Sequence, residues 1–285
     1  MTTRAARPTP QPFVKGHGAG NDFIILPDPD DRLSLSAQDV VRLCDRRTGL
    51  GADGILRAVR CATHLEASTM ADSADWFMDY RNADGTLGQM CGNGIRVLAR
   101  YLVDAGHCPP GILTLATRAG IRSVHISHRT ATFDGPVTVD MGQPLLPGPT
   151  GLTVTASGRS WPALHVDMGN PHAVAFVDDL TQPGDLTSPP LVTPTTAYPH
   201  GVTVEFVVRH SADHLALRVH ERGVGETRAC GTGACAAVAA LHAGSPTGTY
   251  TVAMPGGQLR IAALTDGSMK LTGPATIVAC GAVYL

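Results

Sequence analysis

The chain has 285 residues, 43% hydrophobic and 16% charged, with a formal net charge of −2. That balance describes a globular protein with a large core and room for two domains, and it gives no electrostatic footprint for nucleic acid or an anionic membrane surface. No apolar run is long enough to span a bilayer. The seven scattered cysteines contain no Cys-x-x-Cys pair, which speaks against a disulfide framework or a zinc knuckle and for a reducing, cytoplasmic setting.

Taken in chain order, residues 1–13 (MTTRAARPTPQPF) have no apolar core behind their arginines. They read as a disordered leader rather than a secretory signal. The loop HGAGNDF (17–23) runs into a predicted strand at Phe23–Leu26. A helix is predicted to Cys44, capped by Ser36, with Val40, Val41 and Leu43 on its face. GLGADG (49–54) lacks the Gly-Lys-Ser/Thr end of a phosphate-binding loop and reads as a turn. RNADG (81–85) has turn chemistry. A second helix is expected after Cys91 and a third after Cys230. Further strands are predicted at Val137–Val139, Ala173–Val177, Val202–Val208, Leu215–Val219, Tyr250–Val252 and Thr276–Val278. The class is α+β with mixed sheets.

Two internal echoes divide the chain. MCGNGIRVLARYL (90–102) and ACGTGACAAVAAL (229–241) each read Cys-Gly-x-Gly followed by small and apolar residues. VDMGQP (139–144) and VDMGNPH (166–172) form a second pair. The period is too long for a solenoid, so two pseudo-equivalent domains are expected, each with a cysteine at a helix N-terminus.

That placement has a chemical meaning. A helix N-terminus offers unpaired N–H groups and a positive dipole end, and glycines let a carboxylate approach them. A thiolate there is stabilised, so a thiol pKa below the free value of about 8.5 is expected. Two such helices facing each other would hold one carboxylate between two cysteines. One thiolate could take the α-proton from one face while the other thiol protonates the opposite face, inverting the centre without a cofactor. No metal is expected. Only Lys15 and Lys270 could serve pyridoxal phosphate as a Schiff-base lysine, and Lys15 alone lies near a motif. Asn21, Asn82, Asn170, His172, Glu221 and Arg222 sit in polar loops around these cysteines, and Arg222 offers a bidentate fork for a carboxylate. Taken singly, each also reads as ordinary turn or surface chemistry. Cys44 and Cys235 are expected to be buried. Cys61, Cys108 and Cys280 have no chemical neighbours in the sequence, and Trp76 and Trp161 read as packing residues.

KGHGAGNDF (15–23), NADG with MCGNG (82–94), DMGNPHAVAFV (167–177) and ERGVGETRACGTGACAA (221–237) resemble the diaminopimelate epimerases almost end to end. The resemblance implies two pseudo-symmetric domains, each a mixed β-sheet or barrel around a central helix, with the active site in the cleft. Residues 1–135 plus 276–285 would form the first domain and 136–275 the second. It implies acid/base roles for Cys91 and Cys230, and carboxylate binding by the backbone of Gly92, Asn93, Gly231 and Thr232. Distal contacts would fall on Asn82, Glu221 and Arg222, with Asn21 and Asn170 lining the site and His172 in support. The implied reaction interconverts LL- and meso-diaminopimelate on the way to lysine and peptidoglycan precursors. The implied partners are a small-molecule amino acid and a second copy of the chain in a homodimer. Two positions depart from the family pattern. Thr203 stands where Asn is usual and can make one shorter distal contact; Gly54 stands where many members carry Gln. The departures keep open a paralogous racemase acting on another amino acid. From other classes, a Cys/His hydrolase or transferase and a non-catalytic amino-acid-binding protein remain as alternatives.

Overall fold

The computed structural model of the chain describes residues 10–129, 134–146, 148–241 and 247–285. Its first half holds β1 (Gln11–Gly18), β2 (Asn21–Pro27), α1 (Ala37–Cys44), β3 (Gly54–Arg60), β4 (Trp76–Asn82), α2 (Gly92–Asp104), β5 (Gly111–Thr117), β6 (Gly120–Ile126) and β7 (Pro136–Gly142). The second holds β8 (Leu152–Ala156), β9 (Arg159–Asp167), β10 (Pro171–Phe176), β11 (Leu191–Thr193), β12 (Thr203–Arg209), β13 (His214–Glu221) and β14 (Gly225–Thr227). It continues through α3 (Gly231–Leu241), β15 (Gly248–Met254), β16 (Gly257–Ala263) and β17 (Met269–Pro274), and β18 (Thr276–Val283) closes the chain.

The strands pair into one continuous sheet that curls twice. The first curl wraps α2 and the second wraps α3. Antiparallel pairing of β7 with β17 joins them, and β18 returns to pair with β1.

The two curls repeat one pairing scheme. In the first, hairpin β1–β2 is followed by parallel β2–β3, antiparallel β3–β4, parallel β4–β5 and antiparallel β5–β6. In the second, β9–β10, β10–β12, β12–β13, β13–β15 and β15–β16 alternate in the same order. Register makes positions equivalent. Phe23 lies opposite Gly54 as His172 lies opposite Thr203, and Ile25 opposite Leu56 as Val174 opposite Glu205. The second sequence echo is not part of this repeat: its copies end β7 and β9, which hold different places in the two curls.

The central helices are buried nearly all round. Five of the eleven residues of α3 are alanine, a strong helix former with a short side chain, and two more are glycine, so the sheet packs close against it. α1 covers a smaller cluster of Ile24, Leu26, Val40, Leu43 and Ile55. Ser36 and Asp39 cap it reciprocally, as the sequence predicts for its start. A third cluster packs Val204 and Phe206 with Ala173 and Ala175. Because side chains alternate along a strand, Thr203 and Glu205 share the opposite face of β12 with Val207, in the main core.

The seven strands predicted from β-branched runs all lie within or overlap observed strands. Several others were hidden by buried charge. β3 and β4 carry Arg57, Asp79 and Arg81, which break their apolar pattern. Asp79 is fully buried and pairs with Arg57 at 2.8 Å, Arg118 at 2.6 Å and Arg81 at 3.2 Å. Part of the expected leader is also strand: Gln11–Phe13 open β1 and pair with Val283–Gly281. Residues 1–9 lie outside the described residues. GLGADG is a turn as far as Asp53, and Gly54 opens β3.

Burial pushes the Asp79 carboxyl up, but the guanidinium groups of Arg118, Arg81 and Arg57 outweigh it and hold the carboxyl below its usual range. Its contribution is therefore present above the unfolded carboxyl value and is lost as pH falls through the lower folded value. Asp79→Asn removes the shared counter-charge of three arginines and is expected to destabilise the fold by about 3 kcal/mol or more. Urea unfolding midpoints at pH 7 and pH 3 check this; the mutant's deficit should shrink at the lower pH.

Candidate active site

Both helices begin immediately after the echoed cysteines, and each cysteine is its helix's N-terminal cap. The Cys91 Sγ accepts from the Gly94 N–H at 3.4 Å, and its carbonyl accepts from Ile95 N–H at 2.9 Å. Cys230 repeats this with Gly233 N–H at 3.3 Å and Ala234 N–H at 3.0 Å. The fourth residue of Cys-Gly-x-Gly is thus the amide that meets the thiol. The second residue brings the two helices together. A Cβ at Gly231 would stand 3.5 Å from the Gly92 Cα, and one at Gly92 would stand 3.6 Å from the Gly231 Cα. The first two amides of each helix, at Gly92 and Asn93 and at Gly231 and Thr232, precede the first intrahelical donors, the position at which helix ends bind anions; the Asn93 amide also leans on the Cys91 thiol.

On the Cys91 side, Asn21 Nδ2 donates to Asp53 Oδ2 at 2.7 Å, which turns Oδ1 the other way. That oxygen accepts from Asn93 Nδ2 at 3.0 Å and lies 3.8 Å from Cys91 Sγ. Asn93 Nδ2 also donates to the Ala229 carbonyl at 3.0 Å, tying one cysteine loop to the other. Behind Asn21, Arg46 bridges Asp53 at 2.7 Å and Asp22 at 2.6 Å, and Lys15 pairs with Asp22 at 2.6 Å. Burial raises the Asp22 carboxyl, but Arg46 and Lys15 outweigh it and bring it down to about 2.

On the Cys230 side, Sγ lies 3.4 Å from Thr232 Oγ1. His172 and Glu205 are fully buried, with Nδ1 and Oε1 2.6 Å apart. A Cβ on Gly233 would fall 2.6 Å from Glu205 Oε1 and 3.3 Å from Cys230 Sγ, so the carboxylate and the thiol flank one glycine. Glu221 accepts a short hydrogen bond from Thr227 Oγ1. Thr203 Oγ1 accepts from the Arg222 backbone N–H at 3.3 Å.

The expected lowering of the thiol pKa is overturned. Burial pushes Cys91 up to about 11, against the opposing Gly94 N–H, with the charge of Glu221 adding to the rise. Burial also carries Cys230 well above the ordinary value, with Glu221 and Glu205 adding to it. A helix dipole acts over its first turn only; loss of water and two nearby carboxylates outweigh it here. Burial raises Glu221 and Glu205 as well, and in Glu205 the His172 contact opposes the rise.

Cys91, Gly92, Asn93, Asn21, Cys230, Gly231, Thr232, Glu221 and His172 therefore gather around the two helix ends. The other expected residues make contacts of their own. Asn82 is engaged in its own turn, donating to Thr86 Oγ1 at 2.9 Å. Asn170 is half-buried just before β10. Arg222 is exposed and lines a cavity of about 300 Å³ with Tyr198, Val202, Val204 and His220, on the Val204 face of β12 rather than the Glu205 face. Among the described residues, no cluster of three or more His, Cys, Asp and Glu side chains is placed to hold a metal ion.

Three residues near the site were missed from sequence. Arg96 is fully buried and donates to the Gly92 carbonyl at 2.9 Å and to Asn93 Oδ1 at 2.8 Å. Burial lowers it to about 10. Two arginines four apart in an apolar helix, Arg96 and Arg100, were the available signal. Tyr80 is pushed well up by burial, with the charges of Cys91 and Glu221 adding, and its ring fills the space that a side chain at Gly54 would need. Glu205, a lone acid in an apolar strand, is the third.

A family model described as diaminopimelate epimerase matches residues 13–146 and 164–278. A diaminopimelate epimerase of Streptomyces coelicolor is 53% identical over 290 residues, covering 99% of this chain and 96% of its own. One from Corynebacterium glutamicum is 48% identical over 282 residues, covering 96% and 98%. Among solved structures, a probable proline racemase from Agrobacterium radiobacter K84 aligns with a TM-score of 0.68 at 16% identity, over 97% of this chain and 93% of its own. A phenazine biosynthesis protein of the PhzF family from Bacillus anthracis gives 0.67 at 15%, over 97% and 100%. At those identities the two structures speak for the fold alone.

The raised thiols predict how the free protein reacts with iodoacetamide. The rate at Cys91, followed by peptide mass spectrometry, should still be climbing at pH 10, with Cys230 slower. A plateau for either below pH 9 would contradict the burial argument.

Proposed function

Since the chain belongs to the diaminopimelate epimerase family and is an isomerase interconverting LL- and meso-diaminopimelate, we propose that it works by two-base proton transfer between Cys91 and Cys230. The observation that carries this reading is the meeting of two thiol-capped helix ends at Gly92 and Gly231.

In this reading the carboxylate at the reacting centre takes the amides of Gly92, Asn93, Gly231 and Thr232. One thiolate removes the α-proton, and charge moves into the carboxylate as it becomes enediolate-like. The two helix ends are fixed donors aimed at that charge, so they favour the transition state more than the ground state. The opposite thiol then protonates the other face, and the sulfurs end with exchanged protonation. Forming a thiolate at Cys91 near pH 7.5 costs on the order of 5 kcal/mol. The same high pKa makes that thiolate a strong base toward an α-C–H bond. No step draws on a cofactor.

Thr203, Asn82, Glu221 and Arg222 are assigned to the distal end of the substrate, with Asn170 and Asn21 lining the site and His172 supporting it. Thr203 holds the Arg222 backbone, which fits that assignment; the exposed Arg222 side chain must turn to join it. The hydrogen-bond partners of Cys230 among the described residues are Thr232, Gly233 and Glu221, not His172, which favours epimerase over Cys/His hydrolase chemistry. We assign residues 1–135 with 276–285 to one domain and 136–275 to the other, on the pairing of β18 with β1. No helix of the described residues is long and apolar enough to cross a membrane. Seven free cysteines fit a cytoplasmic setting, and exposed Val278 and Tyr284 at the β18 end fit a homodimer.

Turnover in deuterium oxide without added cofactor should place deuterium at the α-carbon. Cys91→Ala and Cys230→Ala should each lower inversion by at least about a hundredfold while the protein stays folded. Normal turnover in either variant ends the two-base reading.

A further inference from the structure

The repeated pairing scheme permits a comparison across the two halves. Phe23 and Leu56 hold the places in the first curl that His172 and Glu205 hold in the second. The glycines that meet the thiols report the same relation. A Cβ on Gly94 would touch Leu56 Cδ2 at 3.2 Å and Phe23 Cζ at 3.5 Å; a Cβ on Gly233 would meet Glu205 Oε1 at 2.6 Å. One cysteine therefore has an apolar pair behind its helix turn, and the other has a buried imidazole and carboxylate. Burial of these two costs stability unless they are paired, and His172 Nδ1 and Glu205 Oε1 are paired at 2.6 Å. The remaining atoms, His172 Nε2 and Glu205 Oε2, are buried with no hydrogen-bond partner among the described residues.

We propose that Glu205 is a positioning residue: its carboxylate holds His172 in the tautomer protonated at Nδ1, leaving Nε2 as the acceptor that meets the ligand, and puts a negative charge beside Cys230 at the place where the Cys91 side has the apolar Leu56. The proposal rests on the epimerase reading for its role in turnover. The hydrogen bond made by one ring nitrogen decides which proton the other carries. Glutamine at 205 could donate to Nδ1 instead, which permits the opposite tautomer and removes the charge beside Cys230. The charged and titratable groups within reach of the pair are Cys230 on α3, Glu221 on β13, His165 and Asp167 on β9, and Tyr198 after β11. None of these differs between the enzyme and its Glu205 variants.

The first measurement uses the unaltered enzyme. Nitrogen-15 NMR of histidine-labelled protein should show His172 protonated at Nδ1 and bare at Nε2; protonation at Nε2 alone overturns the proposal. The second compares Glu205→Gln with Glu205→Asp. The Gln variant should lose kcat by about tenfold or more with KM changed by less than about threefold, and the Asp variant should recover part of the loss. In Glu205→Gln, iodoacetamide at pH 9 should alkylate Cys230 several-fold faster, with Cys91 unchanged. Unchanged kcat and Cys230 reactivity, or equal acceleration at both cysteines from general loosening, overturns the assignment. Tautomer and alkylation require no turnover, so failure of the unaltered enzyme to epimerise diaminopimelate would count against the epimerase reading and leave this test standing.

Discussion

The close approach of two helix ends at Gly92 and Gly231 is the constraint on which the rest of the architecture depends. Each end is positive and has unpaired amides, so bringing two together is unfavourable unless other interactions hold them. The two curls of sheet supply that hold, each gripping its own helix along its length. Asn93 adds a direct tie through the Ala229 carbonyl. What results is a concentrated patch of backbone donors at the meeting of two positive helix ends, which is the condition a carboxylate-binding site needs.

Arg96 shows how far the surroundings are built for that patch. Its guanidinium lies between the backbones at Gly18 and Gly273, where added Cβ atoms would stand 3.1 Å away, and it holds the Gly92 carbonyl and the Asn93 side chain. Its hydrogen-bond partners are neutral, so a permanent positive charge is buried one turn behind Cys91. The Glu205 carboxyl group lies behind Cys230. The two thiols thus sit in like frames with unlike electrostatics.

The sequence made the helices and the cysteines legible because the Cys-Gly-x-Gly echo encodes backbone geometry: a capping thiol, a close contact and an amide reaching the sulfur. Strands were legible where β-branched residues ran together, as in β2 and β12, and hidden where buried ion pairs interrupted them, as in β3 and β4. The thiol acidity was misjudged because a helix N-terminus is visible in sequence and burial is not. Glu205 and Arg96 were passed over for a related reason. A charge in an apolar segment is uninformative until its partners are known, and those partners come from strands and turns distant in the chain.

The repeated pairing scheme has a stereochemical consequence. Substrate and product of this isomerase differ only in the handedness of one carbon, so an active site complementary to one alone would bind it as a trap and turn over slowly. The repeated pairing scheme gives the two cysteines the same capping geometry at two helix ends that meet, so backbone of like form, though not of like charge, stands on either side of the meeting point. The protein's approximate internal symmetry stands in for the mirror relation that no chain of L-amino acids can provide.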